Sequence, residues 1–108
     1  MKTINYGVTG NVATITFNRP DALNALNKAT LAELDSLIDI VKENIDIKYV
    51  VFTGMGKAFI AGADISEMAD MGEKEALRYA ETGSKIFRKI ELLDKITVAL
   101  VNGYALGG

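Results

Sequence analysis

Short β-type runs alternate along this chain with two long helical patterns. The apolar run 49–53 lies between a helical pattern that starts near Asn27 and a second one over residues 73–92, and the apolar run 96–101 follows. Uninterrupted apolar runs after helical crossovers are typical of strands buried on both faces. The order strand, helix, strand, helix, strand predicts an α/β fold, with one domain over residues 1–108.

Two more β-type runs, 4–9 and 12–17, open the chain and flank Gly10-Asn11, a pair suited to a hairpin turn. Each helical pattern has one apolar face, which we expect to be buried. In the first helix this face comprises Leu31, Leu34, Ile38 and Val41, and in the second Ala76, Ala80, Gly83, Phe87 and Ile90. The predicted order is ββαβαβ, with two glycine-bearing loops at the same end of the sheet.

The composition excludes several kinds of active site within these residues. The chain has no His and no Cys, so it offers no Ser-His-Asp or Cys-His catalysis and no imidazole or thiolate metal site, and we expect no metal. The net charge of -2 comes from scattered residues, which argues against nucleic-acid or anionic-membrane binding. No apolar stretch is long enough to span a bilayer, and we expect a cytoplasmic protein.

The first candidate site is the loop 54–62, which follows a predicted parallel strand at the end where open α/β sheets bind ligands. A dinucleotide-binding fingerprint would need Gly or Ala at Phe59, and a phosphate-binding P-loop would need Ser or Thr after Lys57. Both motifs are therefore absent. An ordinary solvated turn and a ligand-binding loop remain as alternatives.

The residues that follow favour a ligand-binding loop. Ala61-Gly62-Ala63 are small enough for a ligand to approach the backbone, and Asp64 or Ser66 could cap a short helix whose first N–H groups stay free. The second candidate is the segment 101–108, in which an Asn-Gly turn precedes paired glycines. It is either another place where backbone amides face a ligand oxygen or a frayed tail.

Three segments of the chain resemble signature segments of the crotonase superfamily. They are NRPDALNAL at 18–26, KAFIAGADISEM at 57–68 and VNGYALGG at 101–108, in the order and spacing of that superfamily. The resemblance covers the whole chain and is closest to enoyl-CoA hydratases and 3-hydroxybutyryl-CoA dehydratases. It implies a crotonase-like (ClpP/crotonase) fold of repeated ββα units, of which this chain is the N-terminal part.

The resemblance also implies roles for individual residues. In the superfamily two backbone N–H groups bind the thioester carbonyl oxygen in an oxyanion hole, and the matching positions are Ala63 and Gly108. The acyl-CoA substrate would lie along a set of small and polar residues, Ala22, Leu23, Ala61, Gly62, Asp64, Ile65 and Ser66. Because CoA is part of the substrate, no separate cofactor is expected. Where Ser66 stands, some relatives carry a lysine or arginine that points toward the CoA phosphates. In this chain phosphate binding would depend on Lys57 or on residues outside these 108.

The reaction implied is the reversible addition of water to 2-enoyl-CoA thioesters. In the family the two glutamates that transfer protons follow the position of Gly108, and Asp64, Glu67 and Glu73 match no proton-transfer residue. We therefore expect the isolated chain to be inactive, and to form a homo-oligomer or to associate with a chain that carries the C-terminal half.

Two other functions are compatible with parts of the sequence. One is a non-enzymatic acyl-CoA-binding or assembly subunit of the same fold. The other is a ubiquitin-like or sulfur-carrier protein, since the chain ends in Leu-Gly-Gly. The loop 61–68 and the second long helix would have no purpose in a carrier, which makes this the remote alternative.

Overall fold

The computed structural model describes residues 2–106. Within these residues the strands are β1 (Ile4–Thr9), β2 (Val12–Phe17), β3 (Tyr49–Gly54), β4 (Ala58–Ile60), β5 (Ile96–Ala99) and β6 (Tyr104–Ala105). The α-helices are α1 (Lys28–Glu43), α2 (Ile65–Met68) and α3 (Glu73–Glu91), and a 3-10 turn covers Pro20–Ala22. No helix in this part of the chain is long and apolar enough to cross a membrane.

The main sheet has the strand order β1-β2-β3-β5. β1 and β2 form the predicted antiparallel hairpin, with Thr9 opposite Val12 and a positive φ of 59° at Gly10. β3 pairs in parallel with both β2 and β5, as helical crossovers require. The prediction of an α/β fold is therefore confirmed.

The hydrophobic core lies between the sheet and the helices α1 and α3. α1 begins after Asn27, whose side chain accepts a hydrogen bond from Thr30 N–H at 2.8 Å and so satisfies one of the free amides of the first turn. Its buried face contains the predicted residues, Leu31, Leu34, Ile38 and Val41. They pack against Ile15, Val50 and other inward-facing side chains of the sheet.

A second, two-stranded sheet was not predicted. β4 lies inside the predicted loop 54–62 and pairs in parallel with β6. Gly103 makes this pairing possible, because a Cβ atom at that position would lie 1.9 Å from the carbonyl oxygen of Lys57. The two glycine-bearing loops therefore lie together at one end of the main sheet, as predicted.

Two expectations about burial are wrong. β3 buries Val50 and Phe52 but leaves Tyr49 exposed and Val51 half-buried, and every residue of β5 is exposed. The physical reason is that α1 and α3 cover only one face of the sheet, and β5 is its edge among the described residues. The strand also ends at Ala99 rather than at residue 101.

The buried face of α3 also differs from the prediction. The helix buries Tyr79 and Ile86, whereas Ala80 and Phe87 of the predicted face are exposed. Ala76, Gly83 and Ile90 are half-buried. The predicted face missed Tyr79 because a tyrosine can bury its ring and still hydrogen-bond its hydroxyl, which Tyr79 does.

Candidate functional site

Two loops run side by side at the carboxyl end of β3. One is residues 23–26 and the other is residues 61–64. Ala61 N–H donates to the Leu23 carbonyl at 3.1 Å, Leu26 N–H donates to the Gly62 carbonyl at 2.8 Å, and Asp64 N–H donates to the Leu26 carbonyl at 3.1 Å. Leu23 has a positive φ of 52° and Gly62 one of 113°. These hydrogen bonds join the first predicted site to the NRPDALNAL segment.

The backbone N–H of Ala63 points away from this pairing. In an isolated parallel bridge between Leu26 and Ala63, Leu26 bonds to the residues on either side of Ala63 and not to Ala63 itself. Ala63 is exposed, and its N–H donates no hydrogen bond to any of residues 2–106. An exposed, unpaired amide in an ordered loop can bind a ligand oxygen.

Asp64 is buried directly behind this amide. Its carboxylate caps α2 by accepting Glu67 N–H at 3.3 Å, accepts the Ser66 hydroxyl at 2.6 Å and pairs with Arg19 at 3.0 Å. The Ser66 hydrogen bond and, to a smaller extent, the Arg19 guanidinium lower the pKa of the Asp64 carboxyl, against the opposing effect of burial. Asp64 is therefore a fixed, ionised anchor of the loop.

Two asparagine side chains hold the turn that precedes β4. Asn24 is buried, has a positive φ of 57°, and donates from Nδ2 to the carbonyls of Met55 at 3.0 Å and Ala58 at 2.9 Å. Its Oδ1 accepts Arg19 N–H at 2.8 Å. The NRPDALNAL segment is thus tied to the loop by side chains as well as by backbone.

Asn102 holds the same turn from the other side. Its Nδ2 donates to the carbonyls of Gly56 at 3.0 Å and Ala58 at 3.1 Å, and its Oδ1 accepts Gly54 N–H at 3.1 Å. Gly54 leaves room for this arrangement, since a Cβ atom there would lie 2.4 Å from the Ala58 carbonyl oxygen. The second predicted site is therefore an ordered partner of the first as far as Leu106, not a frayed tail.

The predicted site residues lie close together in these loops, with one outside the described part. Ala22 ends the 3-10 turn, and Leu23 follows it with 39% of its surface exposed. Ala61 is half-buried, Gly62 is buried, and Ile65 and Ser66 are exposed on α2. Gly108 lies outside residues 2–106. Asp64, rather than Ser66, is the cap of α2, which settles the alternative left open by the sequence.

Four residues that organise the site received no role from the sequence, namely Arg19, Asn24, Tyr79 and Asn102. Their partners are distant in sequence or are backbone carbonyls, which leave no periodic signal. The usable signal was position, because three of them lie in or beside the segments that resemble signatures. Lys57, considered for phosphate binding, is exposed at the turn before β4.

The sequence matches known proteins over almost its whole length. The sequence model of the Enoyl-CoA hydratase/isomerase family matches residues 7–108. The chain is 50% identical over 100 residues to the short-chain-enoyl-CoA hydratase of Clostridium acetobutylicum, which covers 92% of this chain and 38% of that protein. It is 43% identical over 98 residues to the crotonyl-CoA hydratase of Syntrophomonas wolfei, with 90% of this chain and 38% of that protein covered.

Solved structures give the same result. The enoyl-CoA hydratase from Bacillus anthracis superposes with a TM-score of 0.92 at 32% identity, covering 94% of this chain and 40% of that one. An enoyl-CoA hydratase/carnithine racemase from Magnetospirillum magneticum gives a TM-score of 0.92 at 30% identity, covering 99% of this chain and 41% of that one. These likenesses confirm the crotonase-like fold inferred from the resemblance. The chain spans about two fifths of the length of these relatives, and it belongs to the enoyl-CoA hydratase/isomerase family.

Proposed function

We propose that the chain supplies the thioester-binding part of an enoyl-CoA hydratase, and that the backbone N–H of Ala63 binds the thioester carbonyl oxygen of the substrate. The observation that carries this proposal is the N–H of the exposed residue Ala63, which donates to none of residues 2–106 although the Gly62 carbonyl of the same peptide group and the Asp64 N–H of the next are hydrogen-bonded. The second donor is the N–H of Gly108, by the family resemblance.

The direction of the Ala63 N–H follows from peptide planarity. The Gly62 carbonyl and the Ala63 N–H belong to one planar, trans peptide group, so they point in opposite directions. Because the Gly62 carbonyl accepts Leu26 N–H at 2.8 Å, the Ala63 N–H is aimed away from Leu26. A donor held in this way is preorganised for an oxygen that gains negative charge.

Binding this oxygen would activate the substrate at both carbons of its double bond. A polarised thioester makes the β-carbon electrophilic and the α-carbon acidic, which is what addition of water requires. Removing one oxyanion donor typically raises such a barrier by about 3 kcal/mol. The acyl-CoA would run along Ala22, Leu23, Ala61 and Gly62 and the start of α2. Self-association and a cytoplasmic location stay predictions of the sequence.

The test removes the Ala63 N–H while leaving every side chain in place. Replacing Ala63 with lactic acid turns the amide into an ester, and we expect the Kd for crotonyl-CoA to rise about tenfold, the equivalent of one hydrogen bond. The infrared carbonyl band of bound crotonyl-CoA should also move back toward its position in water. Both are measured on the 108-residue chain by calorimetry and isotope-edited difference spectroscopy.

The matched control is the same replacement at Ala29, an exposed alanine in the first turn of α1, where amides lack helical partners. Both esters also weaken the preceding carbonyl as an acceptor, so the pair isolates the role of the Ala63 N–H. S-butyl-CoA, a thioether that lacks the thioester carbonyl, should bind equally to all three proteins. Equal affinity and an unchanged carbonyl band in the Ala63 ester would contradict the proposal.

A second candidate is a non-enzymatic acyl-CoA-binding subunit. The observation that favours it is that both carboxylates nearest Ala63 in sequence are already engaged, Asp64 with Arg19 and Ser66, and Glu67 with Lys28 N–H at 2.8 Å. The two candidates share substrate binding and differ in turnover, so an assay of crotonyl-CoA hydration by a chain extended through the two glutamates of the family separates them.

A further inference from the structure

Tyr79 connects α3 to the loop that carries Ala63. Its ring is buried in the core, and its hydroxyl lies between two backbone groups of the paired loops. The hydroxyl donates to the Leu26 carbonyl and accepts Asp64 N–H at 3.3 Å. A tyrosine hydroxyl has one proton to donate, so this donor is fully used inside the protein.

The Leu26 carbonyl and the Asp64 N–H, which the Tyr79 hydroxyl contacts, form one of the two hydrogen bonds of the bridge beside Ala63. Asp64 N–H belongs to the peptide plane that follows Ala63, and the Gly62 carbonyl belongs to the plane that precedes it. Leu26 fixes the preceding plane, and Leu26 and Tyr79 together fix the following one. The backbone of Ala63 is therefore held from both sides, and the hydroxyl of Tyr79 is the side-chain contribution.

The hydroxyl keeps its proton under ordinary conditions. Burial is the main cause of a raised pKa for Tyr79, and the negative charges of Glu67 and Asp64 act in the same direction. The Asp64 N–H contact and the positive charge of Arg19 lower the pKa, but they do not reverse the net shift. A neutral phenol remains a donor to the Leu26 carbonyl across the range in which proteins are usually assayed.

We propose that Tyr79 is a positioning residue for the oxyanion donor: its hydroxyl holds the Leu26 and Asp64 backbone groups so that Ala63 N–H stays aimed at the substrate oxygen. The inference rests on the proposed function of Ala63, and it assigns to α3 a part in substrate polarisation. A purely structural role would require only the buried ring, which phenylalanine supplies equally well.

The experiment is Tyr79→Phe in the 108-residue chain, with Tyr6→Phe as the matched control, since Tyr6 is a partly buried tyrosine on β1. Hydrogen exchange of the Asp64 amide in the ligand-free protein should become about tenfold faster in Tyr79→Phe, the effect of one lost hydrogen bond. At saturating crotonyl-CoA, the infrared band of the bound carbonyl should lose part of its shift. Tyr6→Phe should change neither reading.

The outcomes separate this inference from the proposed function. A full carbonyl shift in Tyr79→Phe, or unchanged exchange at Asp64, would overturn the positioning role while leaving Ala63 as the donor. If the wild-type chain does not shift the carbonyl band, the proposed function fails, and faster exchange at Asp64 would then support only the backbone half of the inference. Urea unfolding of both variants shows whether a global loss of stability accounts for faster exchange.

Discussion

Asn24 and Asn102 donate side-chain N–H groups to the same backbone carbonyl, that of Ala58, at 2.9 and 3.1 Å. The two residues come from opposite ends of the chain, and Ala58 begins the strand that leads to the candidate site. A carbonyl oxygen has two lone pairs, so it can accept both donors. The consequence is that the loop 23–26, the turn before β4 and the segment that contains Asn102 are joined at one atom.

This convergence predicts unequal effects of two similar substitutions. Asn24→Ala removes three hydrogen bonds from a buried position. It also places alanine at a positive φ, where no side-chain hydrogen bond offsets the backbone strain. We expect it to lower the free energy of unfolding by about 3 kcal/mol, from unsatisfied buried groups and backbone strain. Asn102 is exposed, so water replaces the lost partners in Asn102→Ala. This substitution should lower the free energy of unfolding by about 1 kcal/mol.

Urea unfolding followed by circular dichroism measures both values. Asn24→Gly separates the two causes, because glycine accepts a positive φ without strain but still lacks the amide. It should be more stable than Asn24→Ala by about 1 kcal/mol. Equal losses for Asn24→Ala and Asn102→Ala would mean that burial at Asn24 does not set the energetic difference.

The sequence predicted what depends on local periodicity and left out what depends on distant partners. The face of α1 and the hairpin follow from spacing and turn chemistry within about fifteen residues. The clamp by Asn24 and Asn102 depends on backbone carbonyls, which every residue has, so no residue type indicates it. The position of Ala63 came from the resemblance, and nothing in its own side chain marks an exposed amide.

The burial errors have a related cause. An apolar run such as 96–101 predicts a strand that can be buried, but whether a layer covers it depends on the rest of the fold. Here Ile96 and Leu100 are 58% and 56% exposed among the described residues. The apolar pattern indicates that a strand is suited to burial, but it does not indicate whether another layer of the protein covers that strand.

Gly103→Ala should break the pairing of β4 with β6. An added Cβ would lie 1.9 Å from the Lys57 carbonyl oxygen and 2.7 Å from its carbon, and backbone atoms cannot move aside as a flexible side chain can. We expect a loss of about 2 kcal/mol, in the range of overpacked sites. The control is Gly7→Ala on β1, where nothing lies within 4 Å, and which should not destabilise the chain. Amide exchange at Leu106, which donates to the Ile60 carbonyl, reports the pairing directly and should be unchanged if the prediction is wrong.

Asp64 predicts an acid-dependent loss of stability. Its pKa in the folded protein is below the ordinary value of 3.8, chiefly because of the Ser66 hydroxyl and then Arg19. The unfolded chain therefore binds the proton more tightly, so the stabilisation is complete above the ordinary value and is lost as the pH falls from about 4 through the lower folded value. Unfolding in urea between pH 6 and 2.5 measures this dependence. It should be weaker in Ser66→Ala and weakest in Asp64→Asn, and parallel curves for wild type and Asp64→Asn would exclude Asp64 as its source.

The 108 residues alone are not expected to hydrate crotonyl-CoA. Hydration needs a base for the attacking water and a proton donor for the α-carbon, and each must be placed beside the polarised thioester. The chain has no His, the lowered pKa of Asp64 makes it a weak base, and Glu67 is engaged with Lys28 N–H.

We therefore expect crotonyl-CoA to bind to the 108-residue chain but to be hydrated no faster than in buffer, as followed by the loss of the absorbance of its conjugated double bond. A chain extended through the two glutamates that follow the glycine run in the family should hydrate it, and replacing either of them with glutamine should remove most of that rate. Binding without hydration by the extended chain would favour the non-enzymatic subunit. Turnover by the 108 residues alone would instead point to a proton-transfer pair among Asp64, Glu67 and Glu73, which Asp64→Asn, Glu67→Gln and Glu73→Gln would then identify by their loss of rate.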